Sequence, residues 1–403
     1  MIEFDSIELT RENSAKIKVI GVGGAGGNTV KSIIESGTDG IEYIVVNTDA
    51  QALESSTAAI KIRLGARCAK GLGSGANPEA GKKAAEETLN EIMEYVEDAD
   101  IVFLTGGMGG GTGSGALPVI ARALKERNIL TIAVVTKPFD FEGKKRKDIA
   151  DNVIKQLKHE VDTLIVIPNQ NLLNVVDAKT SMIDAFNMIN AVLGQSVKSI
   201  SDIITKPGHI NVDFADVRTI MKDRGLAIMG TARASGPDRA LEATLAAISS
   251  PLIESMDMKG SQSVLLNITG SKNLSLHEVS QAASVIYEQA DADAQIILGS
   301  VIDESLGDHV QVTIIATGFE NKQSITPVQE IKVKATTLDT QAANFAQEIE
   351  ESEESRLLQE NKNSSTAPKK QIEAPERELL LGDEALDIPS FMRKSEKGER
   401  EKY

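Results

Sequence analysis

Cysteine, histidine and basic side chains are scarce in this 403-residue chain, and each scarcity closes off a class of chemistry. The single cysteine, Cys68, permits no disulfide within the chain and reads as a partly buried loop thiol. Four scattered histidines offer no ligand spacing for zinc, so no protein-held metal centre is expected. Lys and Arg number 43 against 59 Asp and Glu, a formal net charge of -16. That balance argues against nucleic acid, whose binding rests on releasing counterions with Lys and Arg. Any phosphate ligand should therefore be small and held locally by backbone groups. No run approaches the ~18 apolar residues of a membrane span, and "MIEFDSIELTREN" lacks a basic-then-apolar signal pattern. A cytoplasmic protein without direct membrane insertion is expected.

The pattern from Lys16 to about Ile204 alternates strand and helix. Apolar runs "IKVIGV", "YIVVN", "IVFLT", "ILTIAVV" and "TLIVIP" read as buried strands. Between them lie helical stretches such as the one opened by Asn77 as N-cap and Pro78 at the first position. Strands with little polar alternation, separated by helices, predict an α/β fold with a doubly wound parallel sheet in an N-terminal domain over 15–180. Ligands of such a sheet sit at the carboxyl ends of its strands. Residues 181–204 read as a long buried central helix, 205–225 as a connecting loop and 226–318 as a smaller α+β domain. A flexible segment is expected over 1–14, a disordered linker over 319–383 and a charged end over 396–403. The apolar island at 384–395 reads as a partner-binding peptide, with Leu386, Ile388, Phe391 and Met392 as its face and Pro389 at its helix start.

Two glycine clusters carry the chemistry. "GVGGAGGN", Gly21 to Asn28, contains G-x-G-x-x-G at Gly21, Gly23 and Gly26, and Asp49 ends the next strand near the spacing of a dinucleotide fold's ribose acid. Alone, this supports an NAD-dependent oxidoreductase. The second cluster, Gly106 to Gly115, has seven glycines in ten residues and again lies between strand and helix. Glycines there can turn successive N–H groups toward one anion, and a helix starting near Ala116 adds its positive end. Thr112 and Ser114 supply hydroxyl donors. Neither loop holds a Walker lysine. Two anion sites at neighbouring strand ends suit a triphosphate better than a dinucleotide.

Neither loop holds a carboxylate to orient a water for hydrolysis. The best candidates are Asn211, Asp213 and Asp216 in "HINVDFADV", although Asp213 is also a natural N-cap for a helix starting near Phe214. A central helix of about 24 residues spans roughly 36 Å, which puts this loop far from the same molecule's phosphates. A nucleotide at one end and its carboxylates at the other predict a head-to-tail homopolymer, in which each loop completes the neighbour's site. Were the acidic loop purely structural, a non-catalytic nucleotide-binding scaffold would remain.

"GGGTGSG" resembles the signature of the tubulin and FtsZ superfamily of GTPases. "VNTDAQAL", "KGLGSGANPE", "VVTKPFDFEGKKR", "NVDFADV" and "LDIPSFMRK" are similar to its bacterial FtsZ branch and follow in that order. The resemblance implies GTP/GDP as ligand, assisted by Mg²⁺. It implies phosphate contacts at Gly24, Ala25, Gly26, Gly27 and Asn28, and at Gly110, Gly111, Thr112 and Gly113. It also implies ribose-side contacts at Glu142 and Arg146, and guanine contacts at Asn169, Phe186 and Asn190. Membrane-anchoring division adaptors as tail partners, and a place in the mid-cell division ring, are implied in the same way. Ala191 stands where many members of the family carry an acid.

Overall fold

Nearly every residue of the central strands is apolar and hidden on both sides, which is possible only in a sheet covered by helices on each face. The computed structural model describes residues 15–319, except 39, 175, 178, 207, 251–257 and 259. The expected segments 1–14, 384–395 and 396–403, and all but the first residue of 319–383, lie outside the described residues.

The first half alternates strongly: β1 (Ile17–Val22), α1 (Gly23–Glu35), β2 (Ile41–Asn47), α2 (Ala50–Glu54), β3 (Ile60–Arg63), α3 (Pro78–Glu94), β4 (Ile101–Gly107), α4 (Thr112–Glu126), β5 (Leu130–Lys137), α5 (Lys144–Glu160) and β6 (Thr163–Pro168). These strands run parallel in the order β3-β2-β1-β4-β5-β6. A short α6 (Asn169–Leu172) leads to α7 (Met182–Thr205), β7 (Gly208–Ile210) and α8 (Phe214–Met221). The second half comprises β8 (Gly225–Ser235), α9 (Arg239–Ile248), β9 (Ser263–Gly270), α10 (Leu276–Gln289), β10 (Gln295–Ile302) and β11 (His309–Thr317). Parallel pairing of β6 with β8 makes one 11-stranded sheet through both halves. β8 carries few β-branched residues and much Gly and Ala, so its sequence did not read as a strand.

Side chains of β1 alternate between two cores. Ile17 and Val19 join α1 and α7 on one face, while Ile20 and Val22 join α3 and α4 on the other. A third core lies between β8, β9, β11 and helices α9 and α10. Helix α7 departs from the expected uniformly buried rod. Ser181 caps it by accepting from Asp184 N at 3.1 Å, and its later turns are buried from Ile189 onward. Its first turns expose Met182 and Ile183. Cys68 is exposed as well, contrary to the expected partial burial.

Helix α4 begins at Thr112, four residues before the expected start at Ala116. Glycines of both helices let α3 and α4 approach: a Cβ on Gly115 of α4 would lie 2.1 Å from Pro78 O, and one on Gly81 of α3 would lie 2.3 Å from Gly111 O. At the amino ends of the strands, Lys18 is 5% exposed and donates to Tyr95 O at 2.7 Å and Asp98 Oδ1 at 2.6 Å.

Two outcomes follow. Gly115→Ala should lower unfolding free energy by about 1–3 kcal/mol, the cost of overpacking a tight contact. Gly110→Ala, whose Cβ would meet nothing within 4 Å, should leave it unchanged. Equal denaturation midpoints for the two variants would contradict this packing. Hydrogen bonds from Lys18 and then Lys16 hold the Asp98 carboxyl at about 2. Its contribution is complete above an unfolded value of about 3.9 and is lost as pH falls toward about 2. Asp98→Asn should flatten stability against pH in that window, as read by urea midpoints.

Candidate functional site

A cavity of about 370 Å³ opens at the carboxyl ends of β1, β4 and β5. The sheet order reverses between β1 and β4, so the loops leaving them run to opposite faces and leave a crevice. Both following helices point their N-termini into it. Neither α1 nor α4 has a side-chain cap, a feature shared with α5, α6 and α9, whereas α2, α3, α7, α8 and α10 are each capped by an Asp, Asn or Ser. Uncapped first-turn N–H groups, with the positive ends of two helix dipoles, form an anion site.

The glycines serve this site differently from the expected run of left-handed turns. In the second cluster only Gly109 has positive φ, at 95°. Most of the others are positions where a side chain would collide. A Cβ on Gly111 would lie 2.2 Å from Ser74 Oγ, and one on Gly113 would lie 2.6 Å from Gly107 O. Gly24 and Gly110 have nothing within 4 Å and border the cavity directly.

Every residue that the family resemblance places at the ligand lines this cavity except Gly26 and Gly27. A Cβ on Gly26 would lie 2.5 Å from Thr105 O, so a glycine here lets α1 sit close against β4. Gly27 faces Val45 in β2. Gly24, Ala25, Asn28, Gly110, Gly111, Thr112 and Gly113 form one end of the lining. Ser74, Met108, Thr136, Pro138, Ile189 and Leu193 also line it and were not singled out from sequence. Ser114 does not: its Oγ accepts from Gly109 N at 2.9 Å and braces the loop.

At the other end Asn169 is 6% exposed and its Oδ1 has no hydrogen-bond partner. A buried acceptor without a donor is costly unless a ligand supplies one. Phe186 stands edge-on to buried Phe139, ring centres 5.6 Å apart, and offers its remaining surface to the cavity. Asn190, one helical turn on, shares its face. Glu142 accepts from Phe139 N at 3.0 Å and from Arg146, so the pair presents an oriented guanidinium and carboxylate at the rim. Ala191 is exposed and lies outside the lining.

Asn211, Asp213 and Asp216 are not brought to this cavity. They follow the far end of α7, whose 24 residues span about 36 Å. Local bonds account for two of them: Asn211 Oδ1 accepts from Gly208 N at 2.8 Å, and Asp213 Oδ1 caps α8 at Asp216 N, 2.9 Å away. The Asp216 carboxylate is exposed and makes no hydrogen bond or ion pair among the described residues. Asp49 caps α2 through Gln51 N and Ala52 N and does not line the cavity, which removes the acid a dinucleotide reading required. Among the described residues no group of three or more His, Cys, Asp and Glu is placed to hold a metal ion, and no helix is long and apolar enough to cross a membrane.

Residues 16–177 match the model of the Tubulin/FtsZ family, GTPase domain, and residues 225–320 match that of the FtsZ family, C-terminal domain. The cell division protein FtsZ of a Wolbachia species is 43% identical over 394 residues, 94% of this chain and 96% of its own length. An FtsZ dimer from M. jannaschii is 41% identical with a TM-score of 0.74, covering 77% of this chain and 90% of that one. CetZ1 from Haloferax volcanii shares the fold at 24% identity and a TM-score of 0.66, over 76% of this chain and 95% of its own. The chain belongs to the Tubulin/FtsZ family and is a guanine-nucleotide-binding GTPase.

Proposed function

We propose that this GTPase is a cytoskeletal protein of cell division that assembles head to tail, each subunit's acidic loop completing its neighbour's nucleotide site. The observation that carries the reading is the split itself. One cavity holds two uncapped helix N-termini and an orphaned base-reading amide, and its lining has one carboxylate, Glu142, already engaged by Arg146. The unengaged carboxylate of Asp216 stands beyond the opposite end of α7.

Asn169, Asn190 and Phe186 hold guanine by hydrogen bonds and ring contact. Glu142 and Arg146 meet the ribose side. The first turns of α1 and α4 hold the phosphates, with Thr112 at the terminal one. Backbone N–H groups fixed before the ligand arrives stabilise charge without reorganising. Asp216 of the next subunit accepts a hydrogen bond from the attacking water and aligns it with the terminal phosphorus. Asp213 fixes the first turn of α8 that carries Asp216, and Asn211 fixes the turn before it. The cavity does not fit a protein-caged Mg²⁺, since the single carboxylate of its lining, Glu142, is held by Arg146; any Mg²⁺ would ride on the nucleotide's phosphates. The heterologous contact has no closing symmetry and propagates as a filament. The tail residues Leu386, Ile388, Pro389, Phe391 and Met392 would join that filament to membrane-anchoring adaptors at the mid-cell ring.

Mixing two defective variants tests the shared site. Asp216→Ala should bind GTP within about twofold of the native chain and release phosphate at least about a hundredfold more slowly, the scale of losing a group that acts in the transition state. A variant crippled in the cavity, Asn169→Ala with Phe186→Ala, should be inactive alone through lost binding. Combined, they should regain turnover, because one supplies the pocket and the other the loop. Turnover by Asp216→Ala alone at the native rate, or a mixture no faster than its parts, would contradict the proposal.

A further inference from the structure

Thr48 is absent from the cavity lining, yet its hydroxyl lies 2.6 Å from that of Thr112. It follows β2 directly and is wholly buried. Ser74 approaches the same Thr112 oxygen at 3.1 Å. The three hydroxyls form a chain with Thr112 in the middle, and backbone contacts fix its flanks to each other. Gly73 N donates to Thr48 O at 3.1 Å, and Ala50 N donates to Gly71 O at 3.1 Å. Asp49 and Leu72 pair between them as an isolated bridge.

A hydroxyl has one proton to donate and two lone pairs to offer. Thr112 therefore cannot donate both to Thr48 and to a phosphate oxygen, which accepts only. If the proton pointed at Thr48, an arriving phosphate would face lone pairs. With the proton on the phosphate, the 2.6 Å contact is a hydrogen bond only when Thr48 is its donor. Thr48 has that proton available: its hydroxyl has no other partner among the described residues, and at 0% exposure it has no water to turn to. Ser74, which lines the cavity, is free to donate to the second lone pair of Thr112 or to the ligand.

We infer that Thr48 is a positioning residue for triphosphate selectivity: it donates to Thr112 Oγ1 and so commits the single Thr112 proton to the terminal phosphate of the nucleotide. The inference rests on the reading above that places Thr112 at that phosphate. A diphosphate lacks the group this proton serves, so Thr48 contributes to the preference for GTP over GDP while remaining out of contact with either.

The test is the ratio of GTP to GDP affinity, measured by equilibrium dialysis on the full-length chain and on Thr48→Val, Thr48→Ser and Thr112→Val. Thr48→Val keeps the shape and removes the donor. It should lower the ratio about five- to tenfold, the scale of one hydrogen bond between neutral groups, and leave GDP affinity unchanged. Thr48→Ser should hold the ratio within about twofold of the native chain, and Thr112→Val should lower it at least as far as Thr48→Val. A native ratio in Thr48→Val, while that of Thr112→Val falls, would overturn the role of Thr48. Equal weakening of GTP and GDP in Thr48→Val would also overturn it, because Thr48 would then merely support the loop. A native ratio in Thr112→Val would instead overturn the placement of Thr112 at the terminal phosphate, and this inference with it.

Discussion

Backbone meets backbone at the phosphate end of the cavity with no room for a side chain between, and the rest of the site depends on that closeness. Gly111, Gly113 and Gly115 bring α4 against Ser74, β4 and α3, and Gly26 seats α1 against β4. These contacts hold the first turns of α1 and α4 side by side across the switch point of the sheet. Each turn leaves its leading N–H groups without side-chain caps. An unpaired donor costs free energy when buried and is useful when an anion arrives. At these two turns, which both border the cavity, a phosphate would offset that cost.

The remaining architecture distributes the chemistry between two ends of one body. Helix α7 presents Phe186 and Asn190 to the cavity from its first half and packs through Ile189, Leu193, Val197 and Ile200 into the core. Its far end leads into the loop of Asn211, Asp213 and Asp216, whose own hydrogen bonds shape a turn and cap α8. A rod of 24 residues thus separates the binding end from the acidic loop, and on the proposed reading that loop serves only the site of a second subunit. Buried Phe139, edge-on behind Phe186, supports the binding end from within a single chain.

Much of this was legible in the sequence, for physical reasons that differ by element. The buried parallel strands announce themselves as apolar runs, and Asn77 with Pro78 marks the start of α3 because both residue types suit an N-terminus. The start of α4 was misplaced because Thr112, Gly113 and Gly115 are poor helix formers that local propensity assigns to the loop. Individual glycines could not be sorted from sequence: Gly24 and Gly110 border open space, while Gly26 and Gly115 face carbonyls contributed by residues distant along the chain. Gly26 and Gly27, expected at the ligand, accordingly lie outside the cavity lining. Asn169, Phe186 and Asn190 were reached through family resemblance, since an Asn or Phe in a helix carries no sign of what it faces. Thr48 and Ser74 escaped because their importance lies in meeting Thr112 across 64 and 38 residues of chain. The cap formed by Asp213 shows the converse, a local bond that spacing does anticipate.

The central claim is that one chain carries a complete binding site and only half of a hydrolytic one. GTP turnover per subunit, measured against total subunit concentration at saturating GTP, tests it most directly. A shared site predicts negligible turnover per subunit at high dilution, rising with concentration to a plateau as head-to-tail contacts form. Turnover per subunit that is constant from high dilution upward would mean that a single chain hydrolyses GTP unaided, and would contradict the account.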